Sequence, residues 1–251
     1  MRNWSQPPFI AKQAQIMRPD LAALIDHTLL RPDAVRSDFV RLCDEAARHG
    51  FATVCVNSSH VALCTSLLAD RQVPIAATVG FPLGASSPAA KTAEAAQAVA
   101  DGATEIDMVC QISALKEGMP EPFMDEIRRV VEAAGGAAVK VILETCLLSD
   151  QEKRRGAQWT REAGAAFVKT STGFGAGGAT EADLKLLREE VGPNFGVKAS
   201  GGIRDAETAD RMIAAGANRL GTSAGVAIVT ESNNGDRGYR DGSSGGHRRN
   251  F

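Results

Sequence analysis

The sequence predicts a single-domain α/β fold, a (β/α)8 TIM barrel, and three features support that class. Between about residues 20 and 230, eight short apolar, β-branched segments alternate with longer segments of helical periodicity. Four helix-to-strand junctions contain a glycine suited to a helix C-terminus, at Gly50, Gly102, Gly164 and Gly216. These glycines are 52, 62 and 52 residues apart, which matches two strand–helix units per interval. The strands are apolar almost throughout, as in parallel sheets covered by helices, and an open doubly wound sheet is the alternative.

Each predicted strand is a short β-branched run that follows a turn-forming residue. The strands are predicted at 24–28, 52–56, 74–81, 104–109, 138–145, 165–171, 195–200 and 218–223. The segments between them have apolar residues three and four positions apart, which predicts amphipathic helices. The clearest helical segments are SDFVRLCDEAARHG at 37–50, KTAEAAQAVADG at 91–102 and EADLKLLREEVG at 181–192. No GxGxxG motif follows the first strand, so a dinucleotide site is not indicated.

The two ends differ from this repeating body. Residues 1–19 contain three prolines around one short helical stretch, and we expect an N-terminal extension there. Residues 20–230 form the predicted barrel domain. Residues 231–251 hold 5 glycines and almost no aliphatic side chains, so we expect a flexible, disordered tail.

Composition limits the classes of function. The 251 residues carry a formal charge of −2 and contain no apolar run of about 18 residues, so neither a nucleic-acid partner nor a membrane span is indicated. The N-terminus has no apolar signal-peptide core. The 5 cysteines form no CxxC, and the 4 histidines form no HxH or HExxH motif. We therefore expect free thiols, no metal site and a cytoplasmic location.

Three lysines, Lys140, Lys169 and Lys198, interrupt apolar strands. A buried ammonium group must be paired, neutralised or used in catalysis, because its desolvation is costly. Lys169 and Lys198 lie near the C-terminal ends of adjacent strands, where barrel active sites are built. Two neighbouring ammonium groups lower each other's pKa, and a neutral amine is the nucleophile that forms Schiff bases. The alternative for each lysine is a salt bridge to a neighbouring strand, which we expect for Lys140.

Acidic side chains come from the same strands. Asp107 lies between apolar neighbours in the fourth strand and is either a partner for the lysines or a proton carrier. Glu144 lies four residues after Lys140, on the same face of one strand by the two-residue period. That spacing predicts a polar layer inside the barrel that includes both residues.

Other strand ends supply candidates for the pocket wall. Asp26 and Thr28 lie where the first strand meets its loop, although Asp26 can equally brace that loop, and His27 is more typical of a structural histidine. Cys55 ends the second strand and either lines the pocket or packs as a small hydrophobic residue. Thr170 begins the loop after the sixth strand.

Three glycine-rich turns follow the sixth, seventh and eighth strands. They are TSTGFGAGGAT at 170–180, SGGIRD at 200–205 and GTSAG at 221–225. Barrels commonly bind phosphate at the turns after strands 7 and 8, through backbone N–H groups that glycine leaves accessible. Thr222 or Ser223 can add a hydroxyl group. The pattern predicts a small phosphorylated substrate, and ordinary tight turns are the alternative.

Eight motifs occur in the order IDHTLLRPDA, VCVNSSHV, VGFPLGA, EIDMV, VKVILETCLL, FVKTSTGFG, VKASGGIR and GTSAGVAIV. Together they resemble the deoxyribose-phosphate aldolase family over about residues 22–229. The chain departs from the family after the fourth strand, where it has VCQISALK rather than a sequence close to VINIGALK. The resemblance implies a metal-free class I aldolase without an organic cofactor, and a homodimer. Its reaction would be reversible cleavage of 2-deoxy-D-ribose 5-phosphate to D-glyceraldehyde 3-phosphate and acetaldehyde in deoxyribonucleoside catabolism.

The resemblance also implies roles for individual residues. Lys169 matches the lysine that forms the Schiff base, and Lys198 matches a second lysine that lowers the pKa of the first. Asp107 matches the family's proton-transfer carboxylate, and it shares proton donation and acceptance with Lys198. The residues that match the phosphate-contacting turns are Gly173, Gly201, Gly202, Gly221 and Ser223.

Two other functions stay open at this point. A different class I aldolase or a transaldolase often uses a tyrosine, and the only tyrosine, Tyr239, lies in the tail. A non-catalytic barrel that binds a sugar phosphate would keep the glycine turns. The complete set of Lys169, Lys198 and Asp107 speaks against that second alternative.

Overall fold

The structure is a computed structural model that describes residues 18–230, and in it eight parallel strands close into a barrel. Neighbouring strands pair in chain order, and the last strand pairs with the first. The strands are β1 (Ile25–Leu29), β2 (Thr53–Asn57), β3 (Ile75–Val79), β4 (Glu105–Val109), β5 (Ala138–Ile142), β6 (Phe167–Lys169), β7 (Gly196–Ser200) and β8 (Arg219–Thr222). The predicted barrel is confirmed, and the open sheet is excluded because the strand order closes. Most of the N-terminal extension and all of the tail, with Tyr239, lie outside the described residues.

Helices cover the outside of the barrel. In the described range they are α1 (Pro19–Ala22), α2 (Arg36–His49), α3 (Val61–Leu67), α4 (Pro88–Ala100), α5 (Ile112–Glu117), α6 (Pro120–Ala133), α7 (Asp150–Glu162), α8 (Glu181–Val191), α9 (Ala206–Ala214) and α10 (Gly225–Thr230). The three clearest predicted helices correspond to α2, α4 and α8. No helix within residues 18–230 combines the length and the hydropathy that a membrane crossing requires.

The junction glycines act as predicted. Gly50 follows α2 in the left-handed conformation (φ 70°, ψ 40°), and its N–H donates to the carbonyl oxygen of Ala46 at 3.0 Å. A residue with a Cβ is disfavoured at such a C′ position, whereas glycine is not. Gly102, Gly164 and Gly216 also have positive φ. These turns let the chain leave each helix and enter the next strand within a few residues.

Alternate side chains along each strand enter two different environments. One set packs beneath the helices in the main hydrophobic core and includes Ile25, Val54, Val56, Ile75, Ala77, Val79, Ile106, Met108, Val139, Val141, Val168, Val197, Ala199 and Leu220. The other set points into the barrel. Lys140 on β5 and Asp26 on β1 show this directly, because their Nζ and Oδ2 atoms lie 3.8 Å apart although the two strands are on opposite sides of the barrel.

A buried ion pair ties the helical layer to the end of β4. Lys91 on α4 donates from Nζ to Glu126 Oε1 on α6 and to the carbonyl oxygen of Val109, both at 2.8 Å. Both side chains are fully buried, and burial raises the pKa of the Glu126 carboxyl. The backbone N–H of Gln111 donates to the same Oε1 at 3.0 Å. Gln111 contributes only its backbone N–H to this bond, so the bond does not depend on the side chain at position 111, where the chain departs from the family sequence.

We expect Lys91→Met to lower the free energy of unfolding by about 3–5 kcal/mol, because it leaves the buried Glu126 carboxylate without its counterion. Urea titration followed by circular dichroism measures the loss. The double variant Lys91→Met/Glu126→Leu should recover most of it, since it replaces both charges. Arg129→Met is the matched control, because it breaks the half-exposed Arg129–Asp125 pair, which should contribute less than about 1 kcal/mol. Equal losses in Lys91→Met and the control would contradict the prediction.

Candidate active site

The barrel interior holds a cluster of charged side chains, here called the inner charge cluster. Within the described residues it contains four basic and three acidic groups from six strands. Its members are Asp26 on β1, Glu105 and Asp107 on β4, Lys140 on β5, Lys169 on β6, Lys198 on β7 and Arg219 on β8. The strand register places Lys140 beside Asp107 and Lys198 beside Lys169. The predicted convergence of Lys169, Lys198 and Asp107 is therefore present.

Asp107 is the centre of the cluster. Its Oδ1 accepts from Lys140 Nζ at 2.8 Å, and its Oδ2 accepts from the Nζ atoms of Lys169 and Lys198, each at 2.6 Å. Burial by itself opposes the ionised form, but the three ammonium groups hold the pKa of Asp107 well below its usual range. Asp107 is consequently a carboxylate that can accept a proton or align a proton donor.

The two neighbouring lysines differ in their charge partners. Lys198 donates to both Asp107 and Asp26, and these carboxylates outweigh burial and raise the pKa of Lys198 above its usual value. Among the carboxylates of residues 18–230, Lys169 contacts Asp107 alone, and it shares that carboxylate with two other lysines. Burial lowers the pKa of Lys169, and the Lys198 ammonium group adds to that effect against the attraction of Asp107. Lys198 is therefore a charged proton donor, whereas Lys169 is the amine that loses its proton more readily.

Lys140 forms an internal salt bridge, but its predicted association with Glu144 is wrong. Lys140 Nζ lies 2.5 Å from Glu105 Oε2 and 2.8 Å from Asp107 Oδ1. Glu144 lies beyond the end of β5 and has a left-handed backbone (φ 56°). The regular alternation of side chains ends before that residue, so its carboxylate does not enter the layer that holds Lys140.

A cavity of about 330 Å³ opens at the C-terminal ends of β1, β6, β7 and β8, a size typical of small-ligand sites. It is lined by Thr28, Leu29, Leu30, Arg31, Lys169, Thr172, Gly173, Phe174, Ser200, Gly201, Gly202, Ile203, Arg204, Gly221, Thr222 and Ser223. Among the described members of the inner charge cluster, Lys169 is the one that lines this cavity. The cavity thus presents one amine to a bound molecule, backed by the rest of the cluster.

All five residues of the predicted phosphate turns line this cavity. They are Gly173, Gly201, Gly202, Gly221 and Ser223. Gly201 shows why glycine is required there: its φ is 85°, and a Cβ on it would lie 2.9 Å from Gly178 Cα. Two loops therefore meet backbone to backbone at Gly201, which is part of the cavity lining.

The remaining pocket candidates take different positions. Thr28 lines the cavity, whereas Asp26 lies deeper, bonded to Lys198, and does not brace a loop. Cys55 is buried, burial raises the pKa of its thiol, and it does not line the cavity. Thr170 is expected in the pocket wall from the sequence, but it does not line the cavity. Its hydroxyl donates to Ser200 O at 3.2 Å and accepts from Ser200 N at 3.1 Å.

His27 points to the helical side of β1, as the structural alternative predicts. Its Nε2 lies 2.8 Å from Glu45 Oε2, and its ring lies 4.8 Å from that of Phe51. The five cysteines carry free thiols. Residues 18–230 contain no group of three or more His, Cys, Asp or Glu side chains arranged to hold a metal ion.

Several residues near the site are not identified from the sequence. Glu105 and Arg219 belong to the inner charge cluster. Both are charged residues in apolar strands, so the criterion that selects the three lysines could have identified them as well. Arg31 and Arg204 line the cavity from loops, where an arginine is too common to indicate a site. Phe174 lines the cavity as well and lies 5.3 Å from Phe81, ring centre to ring centre.

Glu144 holds the loop that follows β6. Its Oε2 accepts from both the backbone N–H (3.2 Å) and the hydroxyl of Thr172. The Thr172 hydroxyl oxygen in turn accepts from the N–H of Phe174 at 3.0 Å. Glu144 is buried and has a positive φ, which is sterically unfavourable for a residue other than glycine and is typical of functional sites. Glu144 therefore positions the wall of the cavity that contains Thr172, Gly173 and Phe174.

Comparison with known proteins gives a consistent result. A family profile for DeoC/LacD family aldolases matches residues 21–231. The deoxyribose-phosphate aldolase of Alkaliphilus oremlandii (strain OhILAs) is 54% identical over 221 residues, which covers 88% of this chain and 100% of that protein. That of Thermoanaerobacter sp. (strain X514) is 55% identical over 217 residues, which covers 85% of this chain and 97% of that protein.

A solved structure shares the fold. The deoxyribose phosphate aldolase from Aeropyrum pernix, described as having a unique tetrameric structure, superposes with a TM-score of 0.80 at 36% identity. The match covers 84% of this chain and 90% of that one. Sequence and fold comparisons therefore agree over the barrel.

We expect Glu144→Leu to raise KM at least several-fold, because it leaves the buried Thr172 N–H and hydroxyl without their acceptor. Glu144→Gln keeps an acceptor oxygen and should have a smaller effect. Steady-state kinetics, with urea titration to follow stability, make the comparison. Thr172→Val is the second arm, since it removes the hydroxyl but keeps the N–H bond. Equal KM values for Glu144→Leu and the unaltered protein would show that the contact does not position the cavity wall.

Proposed function

The chain belongs to the DeoC/LacD family of aldolases, and from this premise we propose that Lys169 forms the Schiff base through which it acts. The protein is an enzyme, a deoxyribose-phosphate aldolase, which reversibly cleaves 2-deoxy-D-ribose 5-phosphate to D-glyceraldehyde 3-phosphate and acetaldehyde. One observation supports the role of Lys169 above the others. It is the member of the inner charge cluster that lines the cavity, and its pKa is lowered by burial.

The reaction begins at the neutral Lys169 amine. Its lone pair attacks C1 of the open-chain sugar, and loss of water gives a protonated imine. A base removes the C3 hydroxyl proton, the C2–C3 bond breaks, and its electron pair flows into the imine. Glyceraldehyde 3-phosphate leaves, and an enamine of acetaldehyde stays on the lysine. Protonation at C2 and hydrolysis of the resulting imine release acetaldehyde and restore the amine.

Asp107 and Lys198 are proposed to move the protons. Lys198 is an ammonium group at neutral pH and can donate, whereas Asp107 is a carboxylate and can accept. Asp107 Oδ2 lies 2.6 Å from both amines, so one carboxylate oxygen connects the nucleophile and the donor. Such proton transfer typically contributes about 10²–10⁴-fold to a rate.

The glycine turns are proposed to bind the substrate phosphate. Gly201, Gly202 and Gly221 offer main-chain N–H groups, and Ser223 offers a hydroxyl, at the turns after β7 and β8. Gly173 faces them from the loop after β6. The phosphate would thereby anchor C5 of the sugar and leave C1 to reach Lys169. This arrangement needs neither a metal nor an organic cofactor.

We also propose a cytoplasmic homodimer that functions in deoxyribonucleoside and deoxyribonucleotide catabolism. The substrate is a phosphorylated deoxysugar, which the breakdown of deoxynucleosides supplies. Free thiols are typical of a reducing compartment. Light scattering after size-exclusion chromatography would separate a dimer from the tetramer described for the Aeropyrum pernix relative.

Borohydride trapping tests the Schiff base directly. We expect incubation with acetaldehyde and sodium borohydride to leave a stable ethyl group on Lys169, because reduction fixes the imine. Peptide mass analysis locates the adduct, and Lys169→Met should abolish it. Cleavage activity should be unchanged by EDTA. An adduct on a different lysine, or none on a folded and active protein, would refute the assignment of Lys169.

Replacement of Lys198 tests how the lysines interact. We expect Lys198→Leu to raise the pKa of Lys169, since it removes a neighbouring positive charge, and the acidic limb of the kcat/KM profile should move to higher pH. Each unit of that movement lowers activity about tenfold on the acidic side. Lys185→Leu, an exposed lysine on α8, is the control. An acidic limb at the same pH in Lys198→Leu and the control would contradict this electrostatic effect.

A further inference from the structure

An ion pair crosses the barrel on the side away from the cavity. Glu105 is the first residue of β4 and Arg219 is the first residue of β8, so both lie at the N-terminal end of the barrel. Arg219 Nη2 donates to Glu105 Oε1 at 2.6 Å across the interior. Their side chains are only 14–15% exposed. Phe167 lies near them, with the Arg219 guanidinium 5.8 Å from its ring centre. This pair does not line the cavity, and the reaction steps above do not use it.

Two chains of contacts link this pair to the reactive amine. Glu105 Oε2 contacts Lys140 Nζ at 2.5 Å, and Lys140 contacts Asp107 at 2.8 Å. Arg219 Nη1 lies 3.1 Å from Asp26 Oδ1, and Asp26 contacts Lys198. Both chains end at Asp107, whose Oδ2 contacts Lys169 Nζ at 2.6 Å. A change of charge at Glu105 or Arg219 therefore reaches the nucleophile through buried, weakly screened groups.

The number of charges in the cluster explains which group gives up its proton. With four basic and three acidic groups, full ionisation would leave one uncompensated positive charge inside the barrel, which is unfavourable. Arginine does not release a proton in proteins. Lys140 and Lys198 each contact at least two carboxylates, whereas Lys169 contacts one. The balance is restored when Lys169 is the neutral member.

We propose that Glu105 and Arg219 are a positioning pair that sets the protonation state of Lys169 from the opposite end of the barrel. The inference rests on the proposed role of Lys169 as the nucleophile. Arg219 is the fourth basic group, which gives the fully ionised cluster a net charge of +1. Glu105 is the third acidic group, and without it that net charge would be +2. Neither residue touches the substrate.

The ionisable groups that share the barrel interior with Lys169 come from six other strands. They are Asp26 on β1, Cys55 on β2, Glu105 and Asp107 on β4, Lys140 on β5, Lys198 on β7 and Arg219 on β8. On the cavity side, Arg31 and Arg204 line the same cavity as Lys169. Burial keeps the Cys55 thiol protonated and therefore neutral by raising its pKa. Inside the barrel, the charge on Lys169 thus depends on the balance of the other six groups of the inner charge cluster.

The test compares variants that change this balance in opposite directions. Arg219→Gln leaves three basic and three acidic groups, so Lys169 can keep its proton, and we expect the acidic limb of kcat/KM to move up by about one pH unit. Glu105→Gln should move it down, because it adds a further excess positive charge. The double variant Glu105→Gln/Arg219→Gln restores the original excess and should return the limb close to its original position. Arg219→Lys keeps the charge and should keep the limb.

The same order should appear in the pH dependence of borohydride trapping with acetaldehyde, which requires only the neutral amine and not complete turnover. Arg71→Gln is the control, because it removes a positive charge from the surface Arg71–Asp44 pair, outside the barrel. Circular dichroism confirms folding. Movement of both single variants in one direction, or no movement in either, would overturn the proposal. If Arg219→Gln does not fold, the proposal is tested by the other two variants: the acidic limb should move down in Glu105→Gln and return close to its original position in the double variant.

These outcomes are distinct from a failure of the proposed function. If the unaltered protein forms no adduct on Lys169, the nucleophile is assigned wrongly. If it forms that adduct, but the opposed shifts are missing in folded variants, only the role of Glu105 and Arg219 is refuted.

Discussion

The shared carboxylate of Asp107 is the interaction on which the site depends. Three lysine side chains from three strands converge on its two oxygens at 2.6–2.8 Å, with none of the four side chains more than 3% exposed. Without that carboxylate, three almost fully buried ammonium groups would lie close together inside the barrel. Because the single negative charge of Asp107 is shared among three lysines, it does not fully compensate the positive charge of any one of them. The lysine that has no second carboxylate is then the one that loses its proton most readily.

The barrel makes this arrangement compatible with stability. Strand side chains alternate, so the apolar set packs outward under the helices while the polar set faces inward. The free energy that maintains the fold comes mainly from the outer layer, and the inner layer can hold an unfavourable charge pattern. The buried Lys91–Glu126 pair belongs to the outer layer, yet it bonds the carbonyl of Val109 at the end of the strand that carries Asp107. The helices thus help to hold the carboxylate in place.

Sequence patterns predict this fold well because each strand and helix is specified locally. The eight strands, the glycine junctions and the barrel are confirmed, and Lys169, Lys198 and Asp107 can be selected because charged residues in apolar strands are conspicuous. The partners of those charges are harder to predict. Glu105 and Arg219 are 114 residues apart and meet only after the barrel closes, and a two-residue period does not say which strands face each other across the interior. The position of Glu144 is predicted wrongly because β5 ends at Ile142 and Glu144 itself has a left-handed backbone, which the periodicity cannot reveal.

The same charge balance bears on the proposed chemical steps. In the resting site the cluster is balanced when Lys169 is neutral. Formation of the protonated imine puts a positive charge back on that nitrogen, and the barrel again holds one uncompensated cation. Cleavage of the C2–C3 bond sends an electron pair into the imine, which converts the cation into a neutral enamine. With Asp107 as the acceptor of the C3 hydroxyl proton, the charge lost at the nitrogen is matched by the loss of one carboxylate, and the same proton is then available to protonate C2 of the enamine. The charge balance therefore acts before substrate arrives, when it keeps Lys169 neutral and nucleophilic, and Asp107 links the proton transfers of the later steps.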